Sequence, residues 1–101
     1  MANRINARII GLGSYLPKKV LTNQELEQMV ETSDEWIVSR TGMRERRIAA
    51  PDEFPSDMGA QAAQQVLKNC ELNPNDIDMI IVATMSPDYI SPSTANLIQY
   101  K

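Results

Sequence analysis

The sequence predicts an α/β fold, and three stretches of its 101 residues support this class. Residues 79–84 form a continuous apolar run, which is typical of a strand buried on both faces at the centre of a parallel sheet. Residues 8–14 form a second short apolar stretch that leads into a glycine-containing turn. Between them, residues 56–70 place small and apolar side chains at helical spacing. We therefore expect strands and helices packed in layers.

The composition limits the class of protein. The chain is 43% hydrophobic and 23% charged, which is ordinary for a globular domain, and its length allows one small domain at most. A net charge of −3 does not indicate a nucleic-acid-binding protein. The absence of histidine excludes a complete histidine-dependent triad or histidine metal site within the chain, so no metal is expected.

Cysteine content and hydropathy bear on the cellular compartment. The single cysteine, Cys70, excludes an internal disulfide, which fits a reducing compartment. No apolar run approaches the roughly 20 residues that span a bilayer. The N-terminus lacks an apolar signal core, so we expect a cytoplasmic protein with no membrane partner.

Gly11 and Gly13 follow the first predicted strand and could suggest a dinucleotide-binding motif. That motif needs a third glycine at position 16, which is Leu16, and a helix that opens there, which Pro17 disfavours. We expect instead that the two glycines allow the strand to pack closely against a neighbour.

Residues 21–26 carry the signals of a helix start. Thr22 is a suitable N-cap, Glu25 is the matching residue of a capping box, and Leu21 can pack on Leu26 as a hydrophobic staple. These signals predict a helix that begins just after Thr22.

A second helix start follows within ten residues. Ser33 is a natural N-cap, with Asp34 and Glu35 in the first turn where the helix dipole favours acidic side chains. Thr32 with Glu35 makes an equally acceptable capping box, so both starts stay open. Gly42 is the expected left-handed C-cap.

Trp36 and Arg40 lie four residues apart on this second helix, which places them on one face. An indole beside a guanidinium suits a planar base that carries phosphates. In the alternative interpretation, which spacing alone favours, the tryptophan packs inward and the arginine lies in water.

Residues 43–50 are expected to be extended, with Arg44, Arg46 and Ile48 on one face. The charge on that face is either a solvated edge, which is the commoner outcome, or a basic rim beside the Trp36–Arg40 pair.

Ser56 is the expected N-cap of a long helix that runs to about Cys70. Because Cys70 ends the apolar stripe of this helix and no base lies near it in sequence, we expect a buried structural thiol and not a nucleophile.

The last part of the chain begins with a short helical turn at Asn73 and Pro74. The 79–84 strand follows, and then a proline-containing loop at its carboxyl end, where ligands bind in open α/β sheets. Ser93 is the expected N-cap of a final helix. The candidate strands are too few for a sheet covered on both faces, so we expect this sequence to be part of a larger α/β protein.

Several segments together resemble one family. They are residues 9–17 (IIGLGSYLP), 32–38 (TSDEWIV), 40–46 (RTGMRER) and 81–84 (IVAT), followed by PST at 92–94. These segments resemble the amino-terminal part of β-ketoacyl-acyl-carrier-protein synthase III, and the resemblance runs in register from about residue 7 to residue 101.

The resemblance implies a thiolase-like fold, of which this chain would be part of the first αβα half only. The complete protein would be a five-layer αβαβα sandwich and a homodimer. It would start fatty-acid synthesis: a cysteine takes an acyl group from acyl-CoA, and malonyl-acyl-carrier protein decarboxylates and attacks the thioester. This is covalent catalysis with oxyanion stabilisation, in which the CoA thioester is a substrate and no resident cofactor is implied.

The resemblance also implies roles for individual residues. Trp36 would lie against the adenine ring of CoA, Thr32 would hydrogen-bond the nucleotide, and Arg40 would pair with the phosphates or lie along the pantetheine arm. Met85 and Ser91 would line the acyl pocket. Because well-known members carry threonine and phenylalanine at those two positions, the primer preference is not carried over.

The family's catalytic cysteine, histidine and asparagine are expected beyond residue 101, and Cys70 does not align with the nucleophile. We therefore expect no catalytic residue here, and the 101 residues alone to be inactive with much apolar surface exposed. One alternative is a sister thiolase-fold condensing enzyme of a polyketide or quinolone pathway. Another is a non-catalytic module that serves nucleotide binding or dimerisation.

Overall fold

The computed structural model describes residues 5–101. They belong to two compact units: one consists of Leu16–Phe54, and the other combines residues up to Tyr15 with Pro55–Lys101. Across residues 5–101, no helix combines the length and apolar character needed to cross a bilayer.

The Leu16–Phe54 unit contains two strands and two helices. In chain order these are β1 (Lys19–Thr22), α1 (Asn23–Glu27), α2 (Asp34–Thr41) and β2 (Glu45–Ile48). The strands pair in antiparallel register, with Lys19 opposite Ile48 and Thr22 opposite Glu45. The prediction that residues 43–50 are extended is confirmed for Glu45–Ile48, the four residues that form β2. β1 was not predicted, because it is a four-residue strand that runs directly into a helix cap.

The start of α1 is the predicted capping box. Thr22 Oγ1 accepts from the backbone N–H of Glu25 at 3.2 Å, and the backbone N–H of Thr22 donates to Glu25 Oε2 at 2.8 Å. These bonds from the Thr22 backbone N–H and hydroxyl hold the pKa of the Glu25 carboxyl below its ordinary value, since they stabilise the ionised form.

The second unit contains three helical elements: α3 (Pro55–Asn69), a 3-10 helix (Pro74–Asp76) and α4 (Thr94–Tyr100). The caps predicted for the last two are confirmed, because Asn73 Oδ1 accepts from the backbone of Asn75 at 3.0 Å and Ser93 Oγ accepts from that of Asn96 at 3.3 Å. α3 and α4 pack together where Gly59 faces the side chain of Ile98.

The prediction that Ser56 is the N-cap of α3 is wrong. The helix begins one residue earlier, at Pro55, and Ser56 lies fully buried inside its first turn. Its backbone N–H and its hydroxyl both donate to the carboxylate of Asp88, at 2.9 and 2.5 Å. A carboxylate 32 residues away in sequence therefore takes the position that a local cap would have held.

The two apolar stretches predicted as strands, residues 8–14 and 79–84, belong to no strand. A strand needs a hydrogen-bonded partner, and in residues 5–101 the only ladder is the one between β1 and β2. The burial predicted for 79–84 is also wrong, since Met79 is 75% and Ile81 is 85% exposed. This exposure agrees with the expected apolar surface of that segment.

Gly11 and Gly13 do allow close packing, as the sequence indicated. A Cβ atom on Gly11 would lie 2.1 Å from Cys70 Sγ, and one on Gly13 would lie 2.4 Å from the carbonyl oxygen of Ala62 in α3. Cys70 follows α3 directly and is half-buried, less than expected, with its thiol donating to the carbonyl of Ile10 at 3.6 Å. The segment around these glycines thus lies directly against α3.

Gly11→Ala should lower the free energy of unfolding by about 1–3 kcal/mol because the new methyl group overlaps Cys70 Sγ. Adding Cys70→Ala should restore part of that loss, since it removes the overlapping sulfur. Thermal unfolding of the single and double variants measures the effect. Gly13→Ala is the matched control: its methyl group meets backbone, so Cys70→Ala should not restore it. Equal restoration of both would contradict this packing.

Candidate functional site

Helix α2 carries Trp36 and Arg40, the two side chains that the sequence singled out. Residues directly next to the helix cap both of its ends. Ser33 is the N-cap, as its Oγ accepts from the backbone N–H of Trp36 at 3.1 Å, which decides between the two starts that the sequence left open. Gly42 is the predicted C-cap: its φ is 73°, and its N–H donates to the carbonyl of Val38 at 2.8 Å.

Trp36 and Arg40 are in direct contact. The guanidinium carbon of Arg40 lies over the indole, 5.8 Å from the ring centroid, which is a cation–π arrangement. Trp36 is 57% exposed, whereas Ile37 is the residue that α2 buries. The interpretation in which the tryptophan packs inward is therefore wrong, and much of the indole is open to a ligand.

A depression of about 260 Å³ lies beside the indole and is lined by Glu31, Thr32, Ser33 and Trp36. Two residues with assigned roles, Thr32 and Trp36, thus meet at one surface. Glu31 and Ser33 were not predicted to take part. The sequence did predict Ser33 as an N-cap, and this signal already placed the residue at the start of α2.

The first and last turns of α2 carry residues of opposite charge. Asp34 and Glu35 occupy its first turn and Arg40 its last. This order matches the helix dipole and stabilises the helix. It also leaves the depression with an acidic side near Glu31, while the guanidinium of Arg40 lies over the indole. An uncharged ring suits the depression, and anionic groups suit the guanidinium.

Met85 and Ser91 belong to the other unit. Met85 is fully exposed and Ser91 is exposed, and neither lines the depression beside Trp36. The loop that carries them is anchored by Asp88 through its two bonds to Ser56. The structure therefore fixes this loop at Asp88, between the two residues.

Comparison with known proteins shows which proteins this chain is similar to. No family model matches the chain. It is 54% identical over 99 residues to β-ketoacyl-[acyl-carrier-protein] synthase III of Caldanaerobacter subterraneus, and 57% identical over 99 residues to synthase III 2 of Halalkalibacterium halodurans. Each match covers 98% of this chain. The chain is homologous to the amino-terminal part of β-ketoacyl-[acyl-carrier-protein] synthase III.

Solved structures agree with this homology. The chain matches 3-oxoacyl-[acyl-carrier-protein] synthase III from Aquifex aeolicus with a TM-score of 0.84 and 52% identity, over 90% of this chain and 29% of that one. It also matches the priming β-ketosynthase of the R1128 polyketide pathway with a TM-score of 0.86 and 36% identity, over 92% of this chain and 28% of that one. These matches confirm a partial thiolase-like fold. The chain spans about 30% of the length of the curated relatives it matches.

Asp88→Ala should lower the free energy of unfolding by about 1–3 kcal/mol, because the buried N–H and hydroxyl of Ser56 lose their acceptor. It should also make the loop around residue 88 cleave faster under limited proteolysis. Asp52→Ala, which removes an exposed aspartate, is the control and should change neither quantity. A loop that stays equally resistant in Asp88→Ala would show that Asp88 does not anchor it.

Proposed function

We propose that this chain is the CoA-binding amino-terminal part of a β-ketoacyl-acyl-carrier-protein synthase III, which condenses acyl-CoA with malonyl-acyl-carrier protein. The observation that supports it most is the exposed Trp36 ring in contact with Arg40, beside a depression lined by Thr32. A planar base with phosphates attached is the ligand that this pair of side chains suits.

The polarity of α2 suggests how the nucleotide lies. The adenine ring stacks on the open part of the Trp36 indole, and Thr32 hydrogen-bonds the nucleotide. The phosphates avoid the carboxylates at the start of the helix and extend toward Arg40, whose guanidinium can pair with phosphate oxygens. Arg40 then serves two purposes, because it also lies over the indole.

Binding of this kind serves the chemistry by holding the thioester in place. A cysteine thiolate attacks the thioester carbon, the CoA thiolate leaves, and the acyl group becomes bound to the enzyme. Malonyl-acyl-carrier protein then loses carbon dioxide, and its enolate attacks the acyl-enzyme and releases the cysteine. We assign Met85 and Ser91 to the pocket that holds the acyl chain. The complete protein would be a homodimer located in the cytoplasm.

The 101 residues do not supply the groups that carry out these steps. The sequence has no histidine, and its one cysteine follows α3 with its thiol directed at the carbonyl of Ile10. Cys70 is therefore assigned to packing. Condensation requires residues of a longer protein in which this chain binds the nucleotide.

A sister condensing enzyme is the second candidate. It is supported by the match to the R1128 priming β-ketosynthase, whose TM-score of 0.86 is as high as that of the synthase III structure. The identity favours synthase III, at 52% against 36%. Assay of the full-length protein with acetyl-CoA and with longer acyl-CoA primers separates the two.

Trp36→Ala in the full-length protein should raise the KM for acyl-CoA about 5- to 100-fold, because one base–aromatic stacking contact is lost. Trp36→Phe should give a smaller increase, since a ring remains. The KM for malonyl-acyl-carrier protein, which carries no adenosine, should stay unchanged and is the internal control. An unchanged KM for acyl-CoA in Trp36→Ala would contradict the proposed nucleotide site.

The isolated 101-residue chain should produce no ketoacyl product from acetyl-CoA and malonyl-acyl-carrier protein, because it lacks the family's catalytic groups. Mass spectrometry of the product measures this, with the full-length protein as the positive control. Product formed at a rate proportional to the concentration of a pure 101-residue preparation would show that the assignment of Cys70 to packing is mistaken.

A further inference from the structure

The side chain of Asn23 is fully buried, although asparagine is a residue type that folded proteins usually leave exposed. Its Nδ2 donates to Asp34 Oδ1 at 2.7 Å and to the carbonyl of Met43 at 2.9 Å. Its Oδ1 accepts from Arg46 Nη2 at 2.6 Å. Both ends of this buried amide are therefore hydrogen-bonded, which offsets the cost of taking it out of water.

The chemistry of these partners requires an asparagine. An ionised Asp34 and the Met43 carbonyl only accept hydrogen bonds, while the guanidinium of Arg46 only donates them. The partners therefore determine which end of the amide is nitrogen and which is oxygen. An aspartate at this position would have no N–H to donate, and an apolar side chain would leave every one of these groups without this partner.

The two acceptors of Asn23 lie at opposite ends of α2. Asp34 is the first residue of the helix, and Met43 directly follows its C-cap, Gly42. One amide group thus fastens both ends of the helix, with Trp36 and Arg40 between them. An eight-residue helix is not stable by itself in water, so its position must come from contacts of this kind.

Asn23 also joins α2 to the rest of its unit. The backbone N–H of Asn23 donates to the carbonyl of Arg44 at 3.2 Å, and Arg46 belongs to β2. The carboxylate of Glu27, at the end of α1, accepts from the backbone N–H of Asp34. The first helix therefore holds the second through a set of directional polar bonds.

We propose, on the basis of the CoA site argued above, that Asn23 is a positioning residue for nucleotide recognition: it sets the place of Trp36 and Arg40 by fastening both ends of α2. It acts through these two residues and does not touch the ligand. A displacement of α2 by about 1 Å would move the indole and the guanidinium together, away from the place where the nucleotide meets them.

The test is kinetic, in the full-length protein. Asn23→Ala should raise the KM for acyl-CoA about tenfold, with a parallel rise in the Kd for CoA by calorimetry. The kcat per titrated active site should stay within about twofold, because no residue that carries out the chemistry is touched. Loss of stability alone would lower the number of titrated active sites and leave the KM of the native fraction unchanged.

Thr22→Ala is the matched control. Thr22 precedes Asn23 and is the N-cap of α1, and its side chain hydrogen-bonds to Glu25 within that helix. It should lower the melting temperature and leave the KM for acyl-CoA unchanged. If Asn23→Ala also lowers the melting temperature and leaves the KM unchanged, the proposal is overturned.

A second pair of variants applies if Asn23→Ala does not fold. Asn23→Asp keeps the shape of the side chain but faces Asp34 with a second carboxylate, so the KM should rise. Adding Asp34→Asn restores an N–H between positions 23 and 34 but gives none to the Met43 carbonyl, so it should bring the KM part of the way back to the wild-type value. A double variant no better than Asn23→Asp overturns the proposal.

The outcome for Trp36 separates this inference from the proposed function. If Trp36→Ala raises the KM for acyl-CoA and the Asn23 variants do not, the nucleotide site stands and the positioning role fails. If neither change affects the KM, the nucleotide site itself is wrong, and the role of Asn23 fails with it.

Discussion

The hydrogen bonds of one buried amide, that of Asn23, are the interaction on which the Leu16–Phe54 unit depends. Its two strands have four residues each and pair only with one another, and a two-stranded ladder is marginal in water. Within the described residues, the buried hydrophobic side chains are Ile37 and Ala60, and only Ile37 belongs to this unit. Because few apolar side chains of this unit are fully buried, directional polar bonds are needed to hold α2 in place.

A polar network has a consequence that an apolar contact would not have. Apolar side chains can repack with small changes in energy, but the amide of Asn23 satisfies its partners in one orientation only. The helix that presents Trp36 is therefore held in a single place before any ligand arrives. For a site that recognises a ring by stacking, such preorganisation reduces the ordering cost of binding.

Local signals in the sequence were sufficient for the helix caps and insufficient for contacts that join distant residues. The caps at Thr22, Ser33 and Gly42 depend on neighbours within four positions, and the sequence predicted each of them, with Thr32 as an alternative to Ser33. Ser56 was wrongly assigned because its partner, Asp88, lies 32 residues further along the chain.

The same limit explains what was missed at the site. The spacing of Trp36 and Arg40 predicted that they share a helix face, and they are in contact. The spacing could not show that Trp36 faces outward, because burial depends on what packs against the helix. Asn23 gave no signal at all, since its side-chain partners lie 11 to 23 residues away.

The second unit depends on a different force. Its apolar segment at residues 79–84 forms no ladder, and a groove of about 440 Å³ between α3, α4 and residues 77–80 is open. Burying a side chain such as Met79 or Ile81 contributes about 1.5–3 kcal/mol, so a surface that covered this segment would stabilise the unit further. This exposed apolar surface supports a role within a longer protein.

The loop that carries Met85 and Ser91 belongs to this apolar unit, while Trp36 and Arg40 belong to the unit held by polar bonds. In the proposed enzyme, the nucleotide of CoA would then be recognised by a segment whose shape is set by hydrogen bonds within about forty residues. Contacts between residues this close in sequence form with little loop-closure cost. The acyl chain would be recognised by side chains whose surroundings are completed only by burial against other parts of the protein. In that enzyme, a substitution in the proposed acyl pocket would leave the polar bonds that hold α2 unchanged, because the two sites belong to different units.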